Sequence, residues 1–142
     1  MISLNFPDVN VWMALVLENH VHRQVAQTWW QATDSTIAFM RFTEMSVLRL
    51  LTTPAAMSGK PLSIDDAWRV YDRLFEDERV SFIPEPAAAE RHFREFASGR
   101  AASPKLWADA WLLGFAQAAE GTLVTFDWAL AARGPSCLLL EP

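Results

Sequence analysis

Apolar residues along this chain come in blocks of two kinds, and the kinds alternate. Brief β-rich runs occur at Ile2 to Phe6, Thr36 to Phe39, Val80 to Ile83, Leu123 to Phe126 and Cys137 to Leu140. Between them lie longer stretches whose apolar residues recur every three or four positions, as on a helix with one buried face. Val9 to Leu17 reads as a helix broken by Glu18-Asn19-His20. Val21 to Ala32 reads as a second, with Val25, Trp29 and Ala32 in helical phase. Thr43 reads as the N-cap of a helix to Leu51, which Thr53-Pro54 stops. Ala55 to Leu62, with Gly59 and Pro61, reads as a loop. Ser63 then caps the clearest amphipathic helix, with Ile64, Ala67, Trp68, Tyr71, Leu74 and Phe75 on one face. Glu85 to Ala97 follows, closed by Ser98-Gly99-Arg100. Ser103-Pro104 opens a helix to about Ala119, which Gly121 ends, and Asp127 to Arg133 forms a short last one.

The order βααβααβααβαβ predicts an α/β fold, a three-layer sandwich with helices on both faces of a mostly parallel five-stranded sheet. No linker, repeat or low-complexity segment divides the chain, so residues 1–142 are expected to form one domain. In doubly wound sheets of this kind the first and fourth strands lie side by side at the centre. Ligands bind in the crevice at the carboxyl ends of the strands.

Four acidic residues fall at or just after strand ends: Asp8, Glu44, Asp109 and Asp127. Each has a structural reading. Asp8 and Asp127 suit the N-caps of the helices they precede. Glu44 falls in the first turn of its helix, where the macrodipole favours a carboxylate. Asp109 lies well inside a helix whose neighbours, Leu106 to Leu113, are apolar nearly all round, so burial is expected. A buried carboxylate needs a cation or a metal. Lys105 is one candidate, in the weaker Lys-before-Asp orientation. Taken together, four carboxylates facing one crevice repel one another, and a hard divalent cation such as Mg²⁺ is the simplest agent that relieves the repulsion. Asn10 and Thr125 are expected beside them, orienting a water or a carboxylate.

Charge changes this picture only slightly. The formal net charge of −5 argues against nucleic-acid binding by overall attraction, yet a bound metal and a local basic rim supply a positive field where one is needed. Arg41, Arg49, Lys60, Arg100 and Lys105 are candidates for phosphate contact, Arg100 and Lys105 foremost by their nearness to Asp109. The single cysteine, Cys137, forms no internal disulfide and suits a reducing cytoplasm. No apolar run approaches the roughly 20 residues of a membrane span, and the start of the chain lacks a signal-peptide pattern. His20, His22 and His92 have no zinc-site spacing, and His20 and His22, at a helix entry, read as solvated. Seven tryptophans are many for 142 residues, and the sequence offers no functional account of them.

At these residues the chain resembles the PIN-domain family, and within it the VapC-type toxins of bacterial toxin–antitoxin pairs. The resemblance is carried by Asp8-Val9-Asn10, by Thr43-Glu44 opening a Leu-rich helix, by Ser103 to Ala110, and by Val124-Thr125-Phe126-Asp127. It covers essentially the whole chain. It implies a Mg²⁺- or Mn²⁺-dependent endoribonuclease that acts on RNA, is neutralised by a cognate antitoxin protein and forms a homodimer. Its four acids map onto Asp8, Glu44, Asp109 and Asp127, all serving as catalytic and metal-binding residues, and its polar residue beside the last acid maps onto Thr125. Asp8, Glu44 and Asp109 would hold one metal with Asp127 completing the site, and Glu44 would accept the proton of the attacking water. Met45, Val47, Leu48, Leu51 and the Ile64 to Phe75 face read as core, or as a groove for an antitoxin helix or a second copy.

Two other functions are weighed against this. A receiver-type phospho-acceptor wants a lone aspartate after strand 3 and a lysine after strand 5, where this chain has Ile83-Pro84-Glu85 and Leu140-Glu141-Pro142. A catalytically silent PIN-like interaction scaffold would lack one or more of the four acids.

Overall fold

The computed structural model describes residues 3–142. Five parallel strands, β1 (Leu4–Pro7), β2 (Thr36–Phe39), β3 (Val80–Phe82), β4 (Thr122–Thr125) and β5 (Cys137–Leu139), form one sheet in the order β3-β2-β1-β4-β5. The expected α/β class and the central β1/β4 pair are both observed, with Phe6 beside Leu123 and Pro7 beside Val124. Ile2, expected to begin the first strand, lies outside the described residues.

Side chains alternate across the sheet and build two cores. Ile37 and Phe39 of β2 and Val124 of β4 enter one. There they meet α1 (Val9–Val16), α2 (Arg23–Ala32), α3 (Arg41–Leu51) and α4 (Ile64–Leu74) through Val11, Trp12, Ala26, Val47, Leu51, Ala67 and Tyr71. Phe6, Ala38 and Leu123 enter the other, against α6 (Leu106–Ala118) and α7 (Trp128–Ala131). α5 (Ala89–Ala97) packs on α6 so closely that a Cβ on Gly114 would lie 2.5 Å from the Phe93 backbone nitrogen. The chain runs β1-β2-β3 with helices on one face, then returns through β4 to β5 with helices on the other. Right-handed crossovers require that change of face. No helix among the described residues is long and apolar enough to cross a membrane.

Several boundaries depart from expectation for local reasons. α3 starts at Arg41, and Thr43 is its third residue, its hydroxyl accepting from the Met40 N–H at 3.1 Å. α5 starts at Ala89 rather than Glu85, because Pro84 and Pro86 hold the preceding segment out of a helix. Pro54–Met57 forms a 3-10 turn inside the expected loop. Ser63 does cap α4, accepting from the Asp66 N–H at 3.1 Å, but Ile64 and Trp68 on the expected buried face are exposed. His20 and His22 are half-buried rather than solvated, and Cys137 is half-buried on β5.

Candidate active site

A crevice opens where the connections from two neighbouring strands part: β1 leads into α1 on one face of the sheet and β4 into α7 on the other. Asp8 follows β1 in extended backbone, and its Oδ1 accepts from the Val9 N–H at 2.7 Å, capping α1. Asp127 follows β4, and its Oδ1 accepts from the Ala129 and Leu130 N–H groups at 3.0 and 3.1 Å, capping α7. Capping therefore uses one oxygen of each carboxylate. The other oxygen of Asp8 accepts from the Thr125 hydroxyl at 3.2 Å, and that of Asp127 from the Lys105 ammonium at 2.8 Å. Thr125 is fully buried, and its hydroxyl also accepts from the Asp127 N–H at 3.0 Å.

Asp109 reaches the same crevice from α6. It is the fourth residue of that helix and half-buried, not deep in a buried helix as the apolar sequence suggests. Ser103 and Leu106 close a turn through the Leu106 N–H and the Ser103 carbonyl at 3.1 Å, so α6 begins after Pro104 and Asp109 falls in its first turn. Trp107 on that turn is 61% exposed. Lys105 pairs with Asp127 rather than Asp109.

The three carboxylates act on one another. Burial pushes the Asp8 carboxyl above its ordinary range, and the charges of Asp109 and Asp127 push it further. Burial also raises Asp109, with Asp127 adding to the rise while Lys105 and Arg133 oppose it. Asp127 is held down by its bond to Lys105, and the Lys105 ammonium is raised by that bond and by the charges of all three acids. Together they line a cavity of about 240 Å³, with Asn10 from the first turn of α1, Thr125 and Phe126 from the end of β4, Phe42, Ser46 and Arg49 from α3, and Lys105, Ala108 and Leu112 from the α6 side. The His22 ring lies against Phe126, with centroids 4.6 Å apart.

Glu44 is not in that lining, and the expected four-carboxylate cluster is corrected to three. Its carboxylate binds the Arg41 guanidinium at 2.6 Å and lies beside the buried Tyr71 hydroxyl of α4, whose pKa burial and Glu44 both push up. Helical phase is the reason. At about 100° per residue, Phe42, Ser46 and Arg49 share one stripe of α3, while Glu44 lies on the opposite stripe with Val47 and Leu51. The sequence carried this signal: the periodicity that made Val47 and Leu51 core also turns Glu44 toward them. Ser46, Phe42 and Phe126 went unnoticed in the sequence because neither a serine nor a phenylalanine stands out without the fold. Arg100 is exposed in the loop before α6 and outside the lining, and Arg41 is committed to Glu44 and to the Phe82 ring.

The donor set suits a hard divalent cation: three carboxylates and a hydroxyl, all oxygen, two of the carboxylates penalised as anions by their surroundings. Among the described residues no three acidic, histidine or cysteine side chains stand close enough to ligate one ion by themselves. Mg²⁺ keeps several waters and takes only one or two carboxylates directly, so this spacing fits it.

Comparisons with known proteins bear on the family and the fold. The PIN domain family matches residues 6–134. The ribonuclease VapC41 of Mycobacterium tuberculosis is 36% identical over 133 residues, covering 89% of this chain and 91% of that protein. Among solved structures, VapBC2 from Rickettsia felis, bound to a DNA fragment from its promoter, superposes with a TM-score of 0.66 at 16% identity over 96% of each chain. The Mycobacterium tuberculosis VapC20, a toxin that cleaves the sarcin-ricin loop, does so with a TM-score of 0.66 at 16% identity, over 92% of this chain and 95% of that one.

Proposed function

The chain belongs to the PIN-domain family, and on that premise we propose that it is a VapC-type endoribonuclease toxin, cytoplasmic and dependent on Mg²⁺ or Mn²⁺. The observation that carries this reading is the meeting of Asp8, Asp109 and Asp127 at the β1/β4 crevice, where Lys105 is the one cation paired with them among the described residues. One or two of Asp8, Asp109 and Asp127 would hold the cation directly, and the remainder through its waters. When bound, it supplies a lowered pKa for water and polarisation of a phosphoryl oxygen.

This chain's own residues do the rest. Thr125 fixes the orientation of Asp8 and of the backbone that carries Asp127. Lys105 and Arg49, the two cations of the lining, meet the charge of the scissile phosphate. Asn10, exposed at the rim, orients the attacking water. Glu44 lies outside the cavity, so the proton-accepting role first assigned to it passes to a carboxylate of the lining. In-line attack of water on phosphorus displaces the 3′-oxygen and leaves a 5′-phosphate.

Incubation of the purified protein with labelled RNA tests the reading. Cleavage is expected with Mg²⁺ or Mn²⁺ and is expected to stop in EDTA; cleavage that persists in EDTA removes the metal, and no cleavage of any RNA leaves the scaffold reading. Glu44→Gln, outside the cavity, is expected to cleave RNA within a few-fold of wild type while melting at a lower temperature, because its bond to Arg41 and its place beside Tyr71 weaken. A Glu44→Gln protein as inactive as an Asp8 variant would return Glu44 to the site.

Partners follow the same premise. Ile64 and Trp68 are exposed on a cavity of about 230 Å³ between α3 and α4, which suits the apolar face of an antitoxin helix, and Met45 of α3 is exposed as well. A homodimer is the expected assembly.

A further inference from the structure

We propose that the cavity between α5 and the start of α6 is a subsite for an unpaired nucleobase, taken from the RNA strand whose phosphate enters the acidic crevice. The inference rests on the nuclease reading and adds a second station on this chain. The cavity measures about 410 Å³ and is lined by Glu90, Phe93, Arg94, Ala97, Ser98 and Trp107. Its wall is aromatic: Trp107 meets Phe93 edge to face, centroids 6.1 Å apart, and leaves most of its indole open to water. A base stacks on such a surface whatever its identity.

Position ties the cavity to the crevice. Lys105 and Asp109, each two residues from Trp107, line the acidic cavity, so the two cavities flank the same first turn of α6. A helix with its side chains is about 10–12 Å across, a width an extended strand crosses in one or two nucleotides. Charge agrees. Arg94 on the cavity wall, Arg100 in the loop and Lys105 on the crevice follow the chain from one cavity to the other. The Arg94 guanidinium pairs with Glu90 at 3.4 Å with both side chains about three-quarters exposed, so that pair holds it weakly and leaves it free for a phosphate.

Fluorescence anisotropy of a short single-stranded RNA of mixed sequence, compared with an abasic strand of the same length, tests this in an Asp8→Asn background that does not cut. Trp107→Ala is expected to weaken binding of the RNA roughly tenfold, Trp107→Phe to retain most of it, and neither to alter binding of the abasic strand. Arg94→Gln is expected to weaken both strands. Unchanged RNA affinity in a folded Trp107→Ala protein overturns the subsite, as does an equal loss for both strands. So does a Trp107→Ala protein that binds RNA normally but changes its oligomeric state, since the face would then be a protein interface. If the wild-type protein cleaves RNA and only these comparisons fail, the nuclease reading stands without the subsite; if wild type neither binds nor cleaves RNA, both fall.

Discussion

Asp8→Asn is expected to lose RNA cleavage by more than about 100-fold, since groups that merely support a metal ligand already contribute 10–100-fold. The same protein is expected to melt close to wild type, the lost bond from the Thr125 hydroxyl being offset by removal of a penalised charge. Asparagine caps a helix as well as aspartate does, so the bond to the Val9 N–H survives. The charge that is removed is one the fold penalises, through burial first and then through Asp109 and Asp127. The sign follows from linkage. A carboxyl raised above 3.8 in the folded state binds its proton more tightly there than in the unfolded chain, so ionisation costs stability as pH rises from 3.8 through the raised value. The variant escapes that loss, and its stability relative to wild type should rise across the same interval. Added Mg²⁺ should raise the melting temperature of wild type and leave that of Asp8→Asn nearly unmoved. Cleavage assays beside thermal melts check all three statements. Full activity in a folded Asp8→Asn protein would refute the assignment.

Gly114→Ala is expected to destabilise the protein by about 1–3 kcal/mol even though alanine is the better helix former by about 1 kcal/mol. The added methyl would meet the Phe93 nitrogen at 2.5 Å, its Cα at 2.8 Å and the His92 carbonyl carbon at 2.9 Å. All three are backbone atoms, so relief requires α5 to move as a body. A drop of roughly 4–12 °C in melting temperature is expected. An unchanged or higher value would mean that α5 yields without loss. If α5 moves, Phe93 moves with it, and the cavity beside Trp107 changes shape while the acidic crevice, built from β1, β4 and the far side of α6, does not.

The architecture was legible because strand and helix periods are distinct and the turns between them are polar. Thr36 to Phe39, bounded by Asp34-Ser35, was read with its true limits. The neighbourhood of β1 and β4 follows from topology alone and brings Asp8 and Asp127 to one edge of the sheet. Glu44 shows what proximity in sequence leaves open. It does follow a strand, but α3 turns it toward Tyr71, and only the helix start at Arg41 fixes that phase. Asp109 erred the other way. Its place in the crevice was anticipated, but its depth in the helix was overestimated, because Pro104 precedes α6 instead of opening it. Arg49 ranks below Arg100 and Lys105 by sequence, yet packing puts it on the cavity, which Lys60 and Arg100 do not line.

The Thr125 hydroxyl has a consequence for what the chain tolerates. One oxygen both receives the amide proton that follows it and gives its own to the carboxylate across the strand boundary. Valine has the same outline and would fill the same space, yet it would leave two half-buried polar groups without that partner at once. Serine would preserve the chemistry and lose only a methyl contact. Here mutational drift is confined to two amino acids by hydrogen bonding rather than by volume, and the alignment of two acids 119 positions apart in the chain hangs on that one atom.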